Sequence, residues 1–198
     1  HQVILNRENL GFAAANNQAA RAAHGDYLIF LNNDTVVTPG WINGLLLALN
    51  EPGVGMAGPA TNWAGNESRI PVSYKDLSDM EDFARKYVIA HRNKRVEQSM
   101  LAFFCVAISR EKWDEIGGLD ERFGMGMFED DDYGIRVHRA GYQVICTHSV
   151  FIHHWGRTSF SKIDQQKYKR LFEENRLKFE EKWNIVWEDP AQEGEKKA

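Results

Sequence analysis

The chain of 198 residues holds only two cysteines, Cys105 and Cys146, each inside an apolar run. That excludes a disulfide scaffold and suits buried free thiols in a reducing compartment, with the cytoplasm as the default. Long apolar runs are also missing: Met100 to Ile108 and Leu45 to Leu49 fall far short of the roughly 20 residues that cross a bilayer. Basic excess is absent, since 24 Lys and Arg face 28 Asp and Glu for a net charge of −4. A nucleic-acid binder that relies on a positive surface is therefore excluded. What is present, 43% apolar and 26% charged residues, is enough for a sizeable core.

The opening His1-Gln2-Val3-Ile4-Leu5 has no basic leader and no signal cleavage site. It reads as a strand entered midway, so the chain is expected to start inside a larger domain. From Phe12 to Ala23 seven of twelve residues are Ala, and Gly25 follows, which predicts a helix. Tyr27 to Leu31 is a continuous apolar run suited to a strand of a parallel sheet, completing a strand-helix-strand unit. Further helices are expected over Trp41 to Asn50, Asp76 to Arg95, Arg110 to Ile116 and Asp130 to Ala140. Strands are expected at Val54 to Ala57, Met100 to Ile108, Tyr142 to Cys146 and Ser149 to His153. Ser161 to Trp183 has the stripe of a long amphipathic helix, and the tail past Asp189-Pro190 is charged.

Three polar clusters stand out. Asn32-Asn33-Asp34 follows the Tyr27 to Leu31 strand directly, and ligands of open α/β sheets bind beyond the carboxyl ends of strands. A carboxylate with two amides there either holds a hard cation or builds a turn. The second cluster is Glu129-Asp130-Asp131-Asp132. Two carboxylates about 4 Å apart repel by about 4 kcal/mol at an effective dielectric of 20, so four in a row need a reason. One reason is the positive end of a helix, with Asp132 and Arg136 as an i,i+4 pair; the other is a general base. The third cluster is His153-His154, at the end of an apolar strand. Alternation points the two rings to opposite faces, so at most one shares a site with Asp34. In the loop from Gly58 to Asn66, Trp63 is a candidate for stacking on a sugar ring.

Asn9-Leu10-Gly11-Phe12, Asn16-Asn17, and Gly25-Asp26-Tyr27-Leu28-Ile29-Phe30-Leu31-Asn32-Asn33-Asp34 resemble the donor-side stretch of family 2 glycosyltransferases. Gly117-Gly118-Leu119-Asp120-Glu121-Arg122-Phe123, then Glu129 to Arg136, then His154-Trp155-Gly156 with Ser159, resemble the blocks that follow in that family. The resemblance implies a GT-A (Rossmann-like) α/β fold, a mixed and mainly parallel sheet flanked by helices. It implies inverting transfer of a sugar from a nucleotide-diphosphate donor to an acceptor hydroxyl, as in bacterial-type polysaccharide or glycoconjugate synthesis. Asn9, Gly11, Asn17, Asn32, Asn33 and Asp34 would lie on the donor side. Asp34 and His154, or His153 if the register slips by one, would hold Mn2+ or Mg2+. Asp130 would be the catalytic base, with Glu129, Asp132 and Arg136 in support, while Gly117, Gly118 and Trp63 would lie on the acceptor side. The acceptor would be a glycan, a lipid-linked sugar or a protein, and the enzyme would work in the cytoplasm or at the inner face of the membrane.

Two departures from the family pattern are notable. Asn32 replaces the first acid of the DxD motif, leaving one protein carboxylate, which a cation also held by substrate phosphates tolerates. The family's first strand and its later ribose-binding segment find no counterpart, so residues 1–160 are expected to form an N-terminally truncated domain. Residues 161–187 would add a packed helix and 188–198 a flexible tail. The alternative from a different class is an inactive fragment that serves as a carbohydrate-binding or interaction module. A metal-dependent phosphohydrolase lacks an evident nucleophile.

Overall fold

The computed structural model describes residues 1–156 and 164–187. In chain order its elements are α1 (Phe12–Ala22), β1 (Tyr27–Leu31), β2 (Thr35–Val36), α2 (Trp41–Leu49), β3 (Val54–Thr61), α3 (Leu77–His91) and β4 (Arg95–Glu97). There follow β5 (Cys105–Ser109), α4 (Arg110–Ile116), a single 3-10 turn over Glu121–Phe123, α5 (Glu129–Arg139), β6 (Gln143–His154) and α6 (Gln165–Trp183). Ser159, the expected start of the last helix at Ser161 and the tail 188–198 lie outside the described residues.

The sheet has the order β1-β5-β3-β6-β2, with β4 on the other part of the β6 edge. Here the fold departs from the expectation of a mainly parallel sheet. Of the described pairings only β3 with β6 is parallel, and β1–β5, β3–β5, β4–β6 and β2–β6 are antiparallel. The apolar run of β1 is still explained, because both of its faces meet packed side chains. Leu28 and Phe30 join α1, α4 and α5 in one cluster, and Ile29 packs toward α2 in another. Since β5 runs against both β1 and β3, and β6 runs with β3, the carboxyl ends of β1, β3 and β6 share one end of the sheet.

Other boundaries also moved. Val3 to Leu5 forms no strand, and Val3 and Leu5 are 76% and 89% exposed. Met100 to Phe104 lies outside β5, which begins at Cys105. The helix expected to reach Arg95 ends at His91, and residues 95–97 become β4, which bonds to the flank of β6. The two strands expected at 142–146 and 149–153 are one strand of 12 residues with a bulge. Thr147 pairs with Pro59 but Phe151 pairs with Ala60, so residues 148–150 have no counterpart on β3. Before the bulge Val144 and Cys146 face α5, and Ile145 faces α2. After it Val150 and Ile152 face α2, and Phe151 faces α3. Cys105 and Cys146 are both buried free thiols.

Candidate active site

Two polar centres form at the carboxyl end of the sheet. At the first, β1 runs into Asn32, whose N–H donates to the Phe104 carbonyl at 2.8 Å, and Thr35 Oγ1 donates to the Asn32 carbonyl at 2.7 Å. This tight turn lets β2 pair back with the end of β6, setting Thr35 opposite His154 and Val36 opposite His153. Trp155 N–H then donates to the Asp34 carbonyl at 3.0 Å. The His154 Nε2 atom lies 3.3 Å from Asp34 Oδ1. Asn33 beside them is exposed, and Asn32 and Asp34 are half-buried.

His154 is closely framed. Its N–H donates to Asn62 Oδ1 at 2.7 Å, Asn62 Nδ2 donates to its carbonyl at 3.1 Å, and the Phe104 ring stacks on the imidazole at 4.6 Å. Nδ1 lies 3.0 Å from the Trp63 carbonyl. A carbonyl only accepts, so Nδ1 carries the proton, and in the neutral ring the Nε2 lone pair faces the Asp34 carboxylate. Two electron-rich atoms face each other across a gap that suits a shared cation or a proton. His153 points to the opposite face, where Tyr74 Oη lies 2.6 Å from its Nδ1. Burial, and then the neighbouring His154, lower its proton affinity.

Trp63 is half-buried, and its ring lies so close to the Gly156 backbone that a Cβ there would overlap it. The indole of Trp155 is instead 55% exposed and edge-on to the His153 ring, while its main-chain N–H meets Asp34. Sequence reasoning passed over both Asn62 and the greater exposure of Trp155. An asparagine in a turn carries no periodic signal, and exposure follows from the end of β6.

The second centre is the first turn of α5. Tyr133, one turn into this helix, packs on Phe103, which enters β5 from the same end of the sheet. The four acids have separate environments. Asp132 is fully buried: it accepts from Arg136 Nε at 2.9 Å and from Trp183 Nε1 at 3.0 Å, and it pairs with Lys182. Asp131 faces Trp187 Nε1 at 3.4 Å. Glu129 is buried, with Oε2 lacking a partner among the described residues, and burial pushes its carboxyl up to about 7. Asp130 is half-buried, pairs with no cation among the described residues, and takes the Asp131 N–H on Oδ1 at 3.1 Å. Its proton affinity is well above the usual carboxylate range, first through desolvation, then through Asp131 and Glu129.

The remaining candidates support the frame. Asn17 is buried, and its amide donates to the Leu119 carbonyl at 2.8 Å and accepts from Leu119 N–H at 2.8 Å. It thereby brackets the loop after α4 rather than offering its amide to solvent. A Cβ on Gly118 would lie 2.6 Å from Asn17 Oδ1, and Gly117, at φ +88°, ends α4. Gly11 has φ +85° and leaves no room for a Cβ against the Gly124 carbonyl, while Asn9 Oδ1 accepts its N–H at 2.9 Å. Arg136 also donates to the Ile116 carbonyl at 3.2 Å, tying α5 to α4.

The fold defines a class, the GT-A type. Solved structures of similar shape include GalNAc-T7 with UDP, GalNAc and Mn2+, with a TM-score of 0.57, 16% identity, and coverage of 75% of this chain and 31% of that one. Another is the mannosyltransferase PcManGT from Pyrobaculum calidifontis in complex with GDP-Man and Mn2+, with a TM-score of 0.51, 19% identity, and coverage of 77% and 39%. The chain belongs to glycosyl transferase family 2, whose model matches residues 2–117. An uncharacterized protein of Mycobacterium tuberculosis is 30% identical over 157 residues, covering 76% of this chain. The O-antigen biosynthesis protein RfbC of Myxococcus xanthus is 29% identical over 163 residues, covering 72% of this chain and 12% of its own. The chain spans 56% of the length of the mycobacterial relative.

Proposed function

We propose that the chain carries the metal and base centres of an inverting glycosyltransferase that moves a sugar from a nucleotide-diphosphate donor to an acceptor hydroxyl. The observation that carries this reading is the facing pair of Asp34 Oδ1 and His154 Nε2, with the tautomer set by the Trp63 carbonyl. Their 3.3 Å separation suits two ligands of one divalent cation with ligand distances of about 2.1 Å, and oxygen and imidazole donors suit Mn2+ or Mg2+. The two solved neighbours with Mn2+ support the same choice. Such a cation supplies Lewis acidity toward the leaving diphosphate.

The protein's own part is division of labour among the acids. Asp132 is committed to Arg136, Lys182 and Trp183, and Glu129 is enclosed; Asp130 is left to accept the proton of an attacking hydroxyl. Attack opposite the leaving group inverts the anomeric carbon without a covalent intermediate. The O-antigen relative supports a polysaccharide-type product and a glycan or lipid-linked acceptor. The location proposed with this reading is the cytoplasm or the inner face of the membrane; no described helix is long and apolar enough to cross a membrane.

Calorimetric titration with Mn2+ tests the metal centre. His154→Ala and Asp34→Asn should each weaken binding by roughly tenfold or more, while His153→Ala should change it little. Equal losses for the two histidines would sink the assignment. Nucleoside diphosphate release from UDP- and GDP-sugars, with Asp130→Asn as comparison, tests the base. A second reading, a carbohydrate-binding module without catalysis, is favoured by the 55% exposed indole of Trp155, an aromatic surface that suits the apolar face of a sugar ring. Under that reading, glycans raise the melting temperature and nucleotide sugars with Mn2+ do not.

A further inference from the structure

Beyond the Asp34–His154 pair, a set of buried polar contacts joins α6 to the entrance of α5. That entrance is strained: Met127 at φ +79° and Phe128 at φ +73° are successive non-glycine residues in the left-handed region. A side chain with a Cβ disfavours this conformation, so the surrounding structure has to hold both residues. α6 does so with one stripe of side chains. Asn175, fully buried, donates to the Phe123 carbonyl at 2.7 Å and the Gly126 carbonyl at 2.8 Å, while Lys178 Nζ donates to Asn175 Oδ1 at 2.9 Å. Phe128 packs on Phe172, Phe179 and Trp187. One and two turns further along, Lys182 bridges Asp132 and Asp120, the latter at 2.7 Å, and Trp183 Nε1 holds Asp132.

We propose that Asn175, Lys182 and Trp183 are positioning residues for Asp130, fixing the strained entry to α5 and committing Asp132 so that Asp130 is the acid left open. This rests on the reading of Asp130 as the base. The cations that hold the acidic turn are Arg136 on α5 and Lys182 on α6, and Lys182 also holds Asp120, whose other partner is Arg122; Arg139 lies over the Trp183 ring at 4.4 Å, and Glu129 and Asp131 are the like charges beside Asp130. Removing Lys182 leaves Asp120 and Asp132 with one cation fewer. Removing the Trp183 N–H leaves Asp132 Oδ1 to Lys182 alone without changing any charge.

The test is a carbon-13 NMR titration of the aspartate carboxyls in the full chain, with amide hydrogen exchange across Gly126 to Asp131. Lys182→Met should move the Asp130 midpoint upward by about half a pH unit or more, and Lys182→Arg should restore it. Trp183→Phe, which keeps the ring bulk and the fold, and Asn175→Ala should speed exchange at Phe128 to Asp131 by roughly tenfold. Unchanged Asp130 titration and unchanged exchange, with only a lower melting temperature, would overturn the proposal. Because both signals are read without turnover, they judge positioning apart from the base role, which Asp130→Asn judges by nucleotide release.

Discussion

His154 owes its place to Asn62 as much as to Asp34. Asn62 satisfies both main-chain groups of His154, so Asn62→Ala should cost roughly 1–3 kcal/mol, or about 2–4 °C of melting temperature for each kcal/mol. Mn2+ affinity should fall with it, read by the same calorimetry. Glu129 offers a test with a definite sign. Its folded-state midpoint is raised from 4.5 to about 7, so the folded chain keeps a proton that the unfolded chain releases between those values. The penalty is complete above pH 7 and vanishes below pH 4.5. Glu129→Gln should therefore raise the melting temperature at pH 8 and leave it nearly unchanged at pH 4.5. Buried His148 has the opposite sign: burial, then Lys94 and His91, lower it from 6.5 to about 4. Stability from this group is complete above pH 6.5 and is lost as the pH falls toward 4. At this scale the strand-end acid, the four acids and the two histidines were legible in the sequence. Their partners Asn62, Lys182 and Trp183 were not, because contacts across 50 to 92 residues leave no local pattern.

Among the elements, helices were the most legible. The alanines of α1 and the acids opening α5 favour helix by propensity and by macrodipole, both of which are local signals. The short strands β2 and β4 were missed because two or three residues cannot show an alternation, and each exists only through its pairing with β6. Besides the Asn17 contacts to Leu119, the start of α1 meets the loop before α5 where Gly11 lies against Gly124. Gly11→Ala adds both a left-handed alanine and an overlap, so it should lower the melting temperature well beyond Ala15→Gly in the exposed part of the same helix, where about 1 kcal/mol is expected. Equal shifts for the two variants would refute the close approach.

For the whole molecule the sheet has an uneven perimeter. Asn32 and Arg110 N–H bonds show that even-numbered residues along β1 face β5, so the main-chain groups of Tyr27, Ile29 and Leu31 point to the outer edge. No described strand pairs there, and the edge carries no charge, which makes it a template for pairing with another chain. The isolated chain should associate as its concentration rises, and Leu31→Lys should reduce that in sedimentation velocity; an identical profile would count against an open edge. The other side of the sheet is organised by β6 and its three unmatched residues. The register of the strand beyond them decides which imidazole turns toward Asp34. The ladder beyond the bulge is pinned by Phe151 on Ala60 and His154 on Thr35, so the unmatched residues can shorten without turning the ring, whereas a one-residue slip of that ladder would present His153 in place of His154.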